Sequence, residues 1–181
     1  MTIVTALDAL LLFLVAHKGQ SGYDVRQLMQ STPLGLFSDS PGAIYPALAR
    51  LEQRGLLASA AEPQGRRKRT YERTDAGVAA LTDWLARPVE PDDVQKRGEE
   101  LTLRYVMTAE TLGRGAAMDF LRACVAAEAA HLAEVEAFRD GPGQAQGRAS
   151  REAVDLGVRL LRERLAWRRE LLAQEGQGDD A

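Results

Sequence analysis

The stretch SPGAIYPALARLEQRGL, Ser40 to Leu56, sets the tightest limit on what this chain can fold into. Ser40 is a good N-cap, and Pro41 suits the first helical position, where its missing N–H would have no partner anyway. Gly55 is a natural helix C-cap. Between these marks Ile44, Leu48 and Leu51 cluster on one side of a helix, with Ala47 close by. Pro46 then sits inside the helix and forfeits one bond, to the Gly42 carbonyl, so packing on the apolar side must hold the helix in place.

The opposite side carries Gly42, Pro46, Ala49 and Gln53, flanked by Tyr45 and Arg50. It lacks the long charged side chains of a solvated helix face. Two readings stand side by side. One is a tolerated kink in an ordinary amphipathic helix. The other is a flat surface made for close approach, where Pro46 and Ala49 touch a thymine methyl in a major groove and Tyr45 offers its hydroxyl to a phosphate or base edge.

The flanking segments narrow the choice. Leu7, Leu10, Leu11 and Leu14 recur at helical spacing, widened by Leu12, Phe13 and Val15, and predict a core helix. Lys18 to Gln20 make a turn, and Ser21 with Asp24 forms a weak capping box. A short helix to about Gln30 is expected to bury Val25, Leu28 and Met29, followed by loop chemistry in STPLGLFSDS.

Beyond Gly55, LLASAAEPQGRRKRTYERT reads as a two-stranded hairpin around Pro63, Gln64 and Gly65. Arg66, Arg67, Lys68 and Arg69 sit at or just after its tip, either as a solvated edge or as cations that track a phosphate backbone. The whole chain has net charge -3 and a pI near 5.5, yet Pro41 to Thr74 holds seven Lys/Arg against three Glu. Thr74 then caps a helix over about 75–86, with Val78, Leu81 and Leu85 inward and Trp84 on the flank. Three helices followed by a two-stranded wing make a winged helix-turn-helix, whose third helix lies in the major groove.

RPVEPDD, residues 87–93, is a proline-bearing acidic joint. It separates an expected DNA-binding domain, 1–88, from a helical dimerisation domain, 93–175, and a flexible tail, 176–181. The fold class is therefore mostly α. Helices are predicted over about 94–107, 109–139 and 148–174, with a glycine-rich turn at 141–147. In the last, Val154, Val158, Leu161, Leu165 and Leu172 follow a coiled-coil seam interrupted by Arg168. Leu121, Val125, Leu132 and Val135 are the apolar positions of the long helix. Its Glu128, Glu134 and Glu136 are placed to face Arg159, Arg162, Arg164 and Arg169. Folding back within the chain satisfies part of this surface, and a second subunit the rest.

Cys124, Glu128 and His131 share a helix flank, a spacing open to metal or nucleophile chemistry. Only one other histidine, His17, and no second cysteine exist to complete such a site, so core packing is expected there, with no catalytic role, metal or cofactor. The apolar run Ala9 to Ala16 is far short of the roughly 20 residues of a membrane span, and no positive charge precedes it. The chain is read as cytoplasmic, with no membrane partner.

SPGAIYPALARLEQRGL, the preceding SGYDV and the later RTYERTDAG together resemble the PadR family of bacterial transcriptional regulators, over roughly residues 3–86. The resemblance implies a repressor that binds double-stranded DNA as a homodimer through its C-terminal helices, often released by a small-molecule effector. It puts Ser40, Gly42, Tyr45 and Pro46 at the DNA, Tyr23 near a phosphate, and Arg66 to Arg69 in the wing. Ser21 and Ala43 depart from the family, which often has histidine and threonine there; alanine at 43 offers no hydroxyl to a base. The expected interface is thus Tyr23, Ser40, Gly42, Ala43, Tyr45, Pro46, Ala49, Arg50, Arg66, Arg67, Lys68 and Arg69, acting on a pseudo-palindromic operator. An effector cleft would draw on Trp84, Tyr105 or Trp167. The alternative is a winged-helix protein-interaction scaffold that shows no salt-dependent duplex binding.

Overall fold

A computed structural model of the chain describes residues 4–15, 20–31, 40–61 and 69–175. Its contacts divide the chain into two units, Met1–Arg87 and Pro88–Ala181. The first unit contains α1 (Ala6–Leu14), β1 (Gln20–Ser21), α2 (Gly22–Ser31), α3 (Pro41–Gln53), β2 (Leu57–Ala61), β3 (Arg69–Arg73) and α4 (Asp75–Ala86). The second contains α5 (Pro91–Lys96), α6 (Gly98–Leu112), α7 (Arg114–Asp140), a 3-10 turn (Pro142–Ala145) and α8 (Arg148–Glu175).

Each helix of the first unit starts or stops for a visible local reason. Thr5 and Asp8 close a reciprocal capping box on α1, at 3.1 and 3.2 Å. Ser21 and Asp24 do the same for α2, the Ser21 N–H donating to Asp24 Oδ2 at 2.9 Å and the Asp24 N–H to Ser21 Oγ at 3.2 Å. Ser40 precedes α3 in extended backbone, but its side chain makes no capping bond; its carbonyl accepts from the Ala43 and Ile44 N–H groups instead. At the far end of α3, Gly55 takes φ +69°. The Leu56 N–H reaches Leu51 O at 2.9 Å and the Gly55 N–H reaches Glu52 O at 2.8 Å, a complete Schellman closure.

The core of this unit is built from Leu11 and Leu12 of α1, Val25 of α2, Ile44, Leu48 and Leu51 of α3, and Leu81 of α4, all with no exposed surface. In α2 the expected burial extends only to Val25, because Leu28 is 39% exposed and Met29 half-buried. In α4 the inward stripe is Gly77, Leu81, Trp84 and Leu85, while Val78 is 43% exposed. This reverses the expected places of Val78 and Trp84. The cause is Gly77: a Cβ there would overlap the Leu56 carbonyl oxygen, so the closest approach is made by a residue without a side chain, which an apolar pattern passes over. Thr74 fixes the same corner by accepting from the Gly77 N–H at 3.1 Å and donating to Gly55 O at 2.7 Å.

The strands form a three-stranded antiparallel sheet in the order β1-β3-β2, with Gln20 opposite Tyr71 and Ala61 opposite Arg69. The hairpin β2-β3 is the expected wing. The third strand, of two residues, is too short to leave an alternating pattern in the sequence. The expected turn at Lys18 and Gly19, the loop after Ser31 and the wing tip around Pro63 to Gly65 lie outside the described residues.

In the second unit Pro91 opens a separate short helix that stops at Arg97, outside helical backbone, so the segment predicted as one helix over about 94–107 is two; Gly113, at φ +89°, ends the second of them, α6. α7 and α8 run antiparallel, since Glu136 pairs with Arg162 while the earlier Glu128 pairs with the later Arg164. Arg168, an interruption in the sequence pattern, is fully buried and lies against the same Glu128 oxygen as Arg164. None of its three guanidinium nitrogens has hydrogen-bond geometry to a partner among the described residues, so the pairing is close in distance but poorly aligned. Arg104 is also buried, its guanidinium 4.7 Å from the centre of the Phe120 ring. Among the described residues no helix is long and apolar enough to cross a membrane.

Candidate nucleic-acid interface

α3 turns Ile44, Ala47, Leu48 and Leu51 into the core, which fixes what it shows outside. Pro41, Gly42, Tyr45, Pro46 and Arg50 are exposed; Ala43 and Ala49 are half-buried beside them. Ser40, just before the helix, is exposed as well. The outer face is as bare as the sequence suggests, and nothing lies within 4 Å of where a Gly42 Cβ would stand.

Tyr45 owes its position to a residue that sequence reasoning did not single out. A Cβ on Gly22, the first residue of α2, would lie 2.5 Å from Tyr45 Cε1 and 2.9 Å from Cδ1. The ring therefore rests in the space left by the missing side chain, while 43% of Tyr45 stays exposed. Next along α2, Tyr23 is 56% exposed and its hydroxyl accepts from Gln27 Nε2 at 2.6 Å.

The arginines described here are held by carboxylates. Arg50 Nη2 donates to Asp8 Oδ1 at 2.5 Å, and Arg54 Nη1 lies 3.6 Å from Asp8 Oδ2. Asp8 is 1% exposed, so α1 supplies a buried anchor for the last turn of α3. At the root of the wing, Arg69 Nη2 donates to Glu52 Oε1 at 2.6 Å, and its guanidinium carbon lies 5.8 Å from the centre of the Tyr71 ring. Burial pushes the Tyr71 phenol above its ordinary pKa, against the lowering effect of Arg69; Glu52 and Tyr45 add to the rise. In the sequence Gly22 stands out only as a motif glycine, Glu52 as a counted charge and Asp8 as the one charge ahead of the apolar run. Arg66, Arg67 and Lys68 lie outside the described residues.

Residues 11–83 match the Transcriptional regulator PadR-like family. That match covers most of the first unit, Met1–Arg87. A curated relative, Transcriptional regulator Rv3488 of Mycobacterium tuberculosis, is 53% identical over 45 residues, which make up 24% of this chain and 42% of that protein. This chain thus spans less than half the length of the relative it matches. Among solved structures, Bacillus subtilis PadR in complex with operator DNA is similar at 22% identity, covering 96% of this chain and 99% of that one, with TM-score 0.44. The PadR-like regulator BC1756 of Bacillus cereus is similar at 19% identity over 96% and 97% of the two chains, with TM-score 0.42.

In the second unit, the residues expected at a dimer seam divide by burial. Leu121, Val158 and Leu165 are buried by the second unit's own packing, whereas Val125, Leu132, Val154, Leu161 and Leu172 are half-buried. Leu156, Leu160 and Trp167 are 57%, 62% and 38% exposed. Tyr105 and Trp167 meet edge to face at 6.3 Å. Near Tyr105 a cleft of about 300 Å³ is lined by Ala109, Arg114, Met118, Leu171 and Gln174 among others. Trp84, in the first unit, is buried against the Arg87 guanidinium at 4.6 Å. Of the flank Cys124, Glu128 and His131, the cysteine is buried and its thiol pushed up to about 11, first by burial, so it stays protonated at neutral pH. Glu128 is taken by arginines, and His131 Nδ1 lies 3.5 Å from Glu134.

Proposed function

We propose that this chain is a sequence-specific DNA-binding transcriptional regulator, a repressor that acts as a homodimer on a pseudo-palindromic operator. The observation that carries the reading is the outer face of α3, bare and proline-marked, with Tyr45 seated on Gly22 at its flank. A surface without long side chains admits backbone and small groups to a major groove, where Pro46 and Ala49 suit a thymine methyl and Tyr45 a base edge or phosphate. Tyr23, Ser40, Gly42, Ala43 and Arg50 complete the contact surface, and the wing adds backbone contacts through Arg66, Arg67 and Lys68. A dimer would set two such helices about 34–36 Å apart, in successive major grooves. Release by a small molecule belongs to the same reading, and the cleft beside Tyr105 is the place in the second unit to look for it.

The test is selection of duplexes from the organism's own DNA, followed by affinity measurements with Tyr45→Ala and with Arg66 and Arg67 both changed to alanine. Both variants are expected to lose binding, the second with a shallower dependence on salt. If both bind the selected duplex as the parent does, the proposed surface is wrong.

A further inference from the structure

Glu52 stands in the last turn of α3, where the helix dipole disfavours an anion. Its carboxylate is only partly exposed and sits at the corner of a closed ring of bonds. Ser59 Oγ donates to Glu52 Oε1 at 2.6 Å, Arg69 Nη2 donates to the same oxygen at 2.6 Å, and Arg69 Nε donates to Ser59 Oγ at 2.9 Å. One side chain comes from α3, one from β2 and one from β3, so the ring fastens both wing strands to the helix beside them. Tyr71 supports the guanidinium from below.

We propose that Glu52 is a positioning residue that sets the wing against α3, and that Arg69 serves as the brace of this ring and does not neutralise a phosphate. The proposal rests on the regulator reading and refines the roles within its interface. The directional bonds matter more than the net stability they supply. An ion pair this exposed, with Arg69 56% and Glu52 24% exposed, changes a folding equilibrium by no more than about fivefold. The ring instead fixes where the strands leave for the wing tip. Arg69 has two of its nitrogens committed within the protein, whereas a phosphate contact would need that fork turned outward.

The sign of one substitution separates the two roles. Removing a carboxylate near a polyanion should tighten binding if only charge counts. If Glu52 positions the wing, Glu52→Gln should instead weaken binding of the selected duplex about three- to tenfold, the scale of coupling within a bonded network. Tighter or unchanged binding overturns the proposal. Arg69→Met provides the second arm: on a mixed-sequence duplex, the slope of log K against log salt should stay as in the parent. A slope shallower by about 0.9, the share of one phosphate, overturns the brace role.

A third arm needs no DNA. Amide exchange at Ala58, Ala60 and Thr70, which sit in hydrogen-bonded pairs of the β2–β3 ladder, should speed up in both variants while Leu48 and Leu51 stay protected. Unchanged exchange at the strands, or equal loss at all five sites, overturns the ring as a positioning device. Should the parent chain bind no duplex at all, the regulator reading fails while this arm still decides the role of the ring.

Discussion

At the scale of single residues, the least expected side chain is Arg168, with no exposed surface and Glu128 as its opposite charge. Burying two charges is costly, and Glu128 Oε2 and the Arg168 nitrogens also lack hydrogen-bond partners among the described residues, so the pair adds little net stability. Removing Glu128, however, strands Arg168. Glu128→Gln is expected to cost about 3–5 kcal/mol, read from denaturant melts of the full chain, because the Arg168 charge stays buried, whereas Arg168→Met leaves Glu128 its bond from Arg164 and should cost less. The double variant Glu128→Leu with Arg168→Met should recover most of that loss. If the double variant were as unstable as the sum of the singles, the pair would not be the reason for the cost. In the sequence Arg168 looks only like a fault in an apolar seam, since periodicity marks a position as buried but cannot say which charge waits opposite it.

At the scale of elements, α3 was legible because its limits are written in chemistry: proline at the first position, glycine after the last, apolar residues between. Pro46→Ala should raise the melting stability by about 1–2 kcal/mol, since it restores an N–H to the Gly42 carbonyl while giving back some freedom to the unfolded chain. The same change is expected to weaken binding of the selected duplex. A variant both more stable and tighter on DNA would return Pro46 to the status of a tolerated kink. Other elements were harder to read for reasons that lie in the residues. Val78 and Trp84 exchanged places because Gly77 makes the inward contact without an apolar side chain. Strand β1 has two residues and no pattern to offer. The cushion under Tyr45 depends on Gly22, and nothing in a one-dimensional pattern says which ring will fill a missing side chain.

At the scale of the whole molecule, the proposed dimer has a candidate seam on the outside of α8. Leu156, Leu160 and Trp167 fall within about 40° of one another around the helix at 100° per residue, and all three are exposed. Leu156→Glu with Leu160→Glu is expected to shift the purified protein toward monomer in sedimentation without lowering its melting temperature. Leu165→Ala, at a position 3% exposed, should instead destabilise the fold by about 2–5 kcal/mol. A double glutamate variant that stays fully dimeric would move the seam elsewhere. The two units also differ in sign: Met1–Arg87 holds ten Lys/Arg against eight Asp/Glu, and Pro88–Ala181 holds thirteen against eighteen. An anion-exchange resin at mild alkaline pH would therefore retain this protein as an acid, while a heparin column would sample only its cationic part. Neither the isoelectric point nor one chromatogram describes how such a chain meets a polyelectrolyte, because the attraction is local and the repulsion belongs to residues far along the sequence.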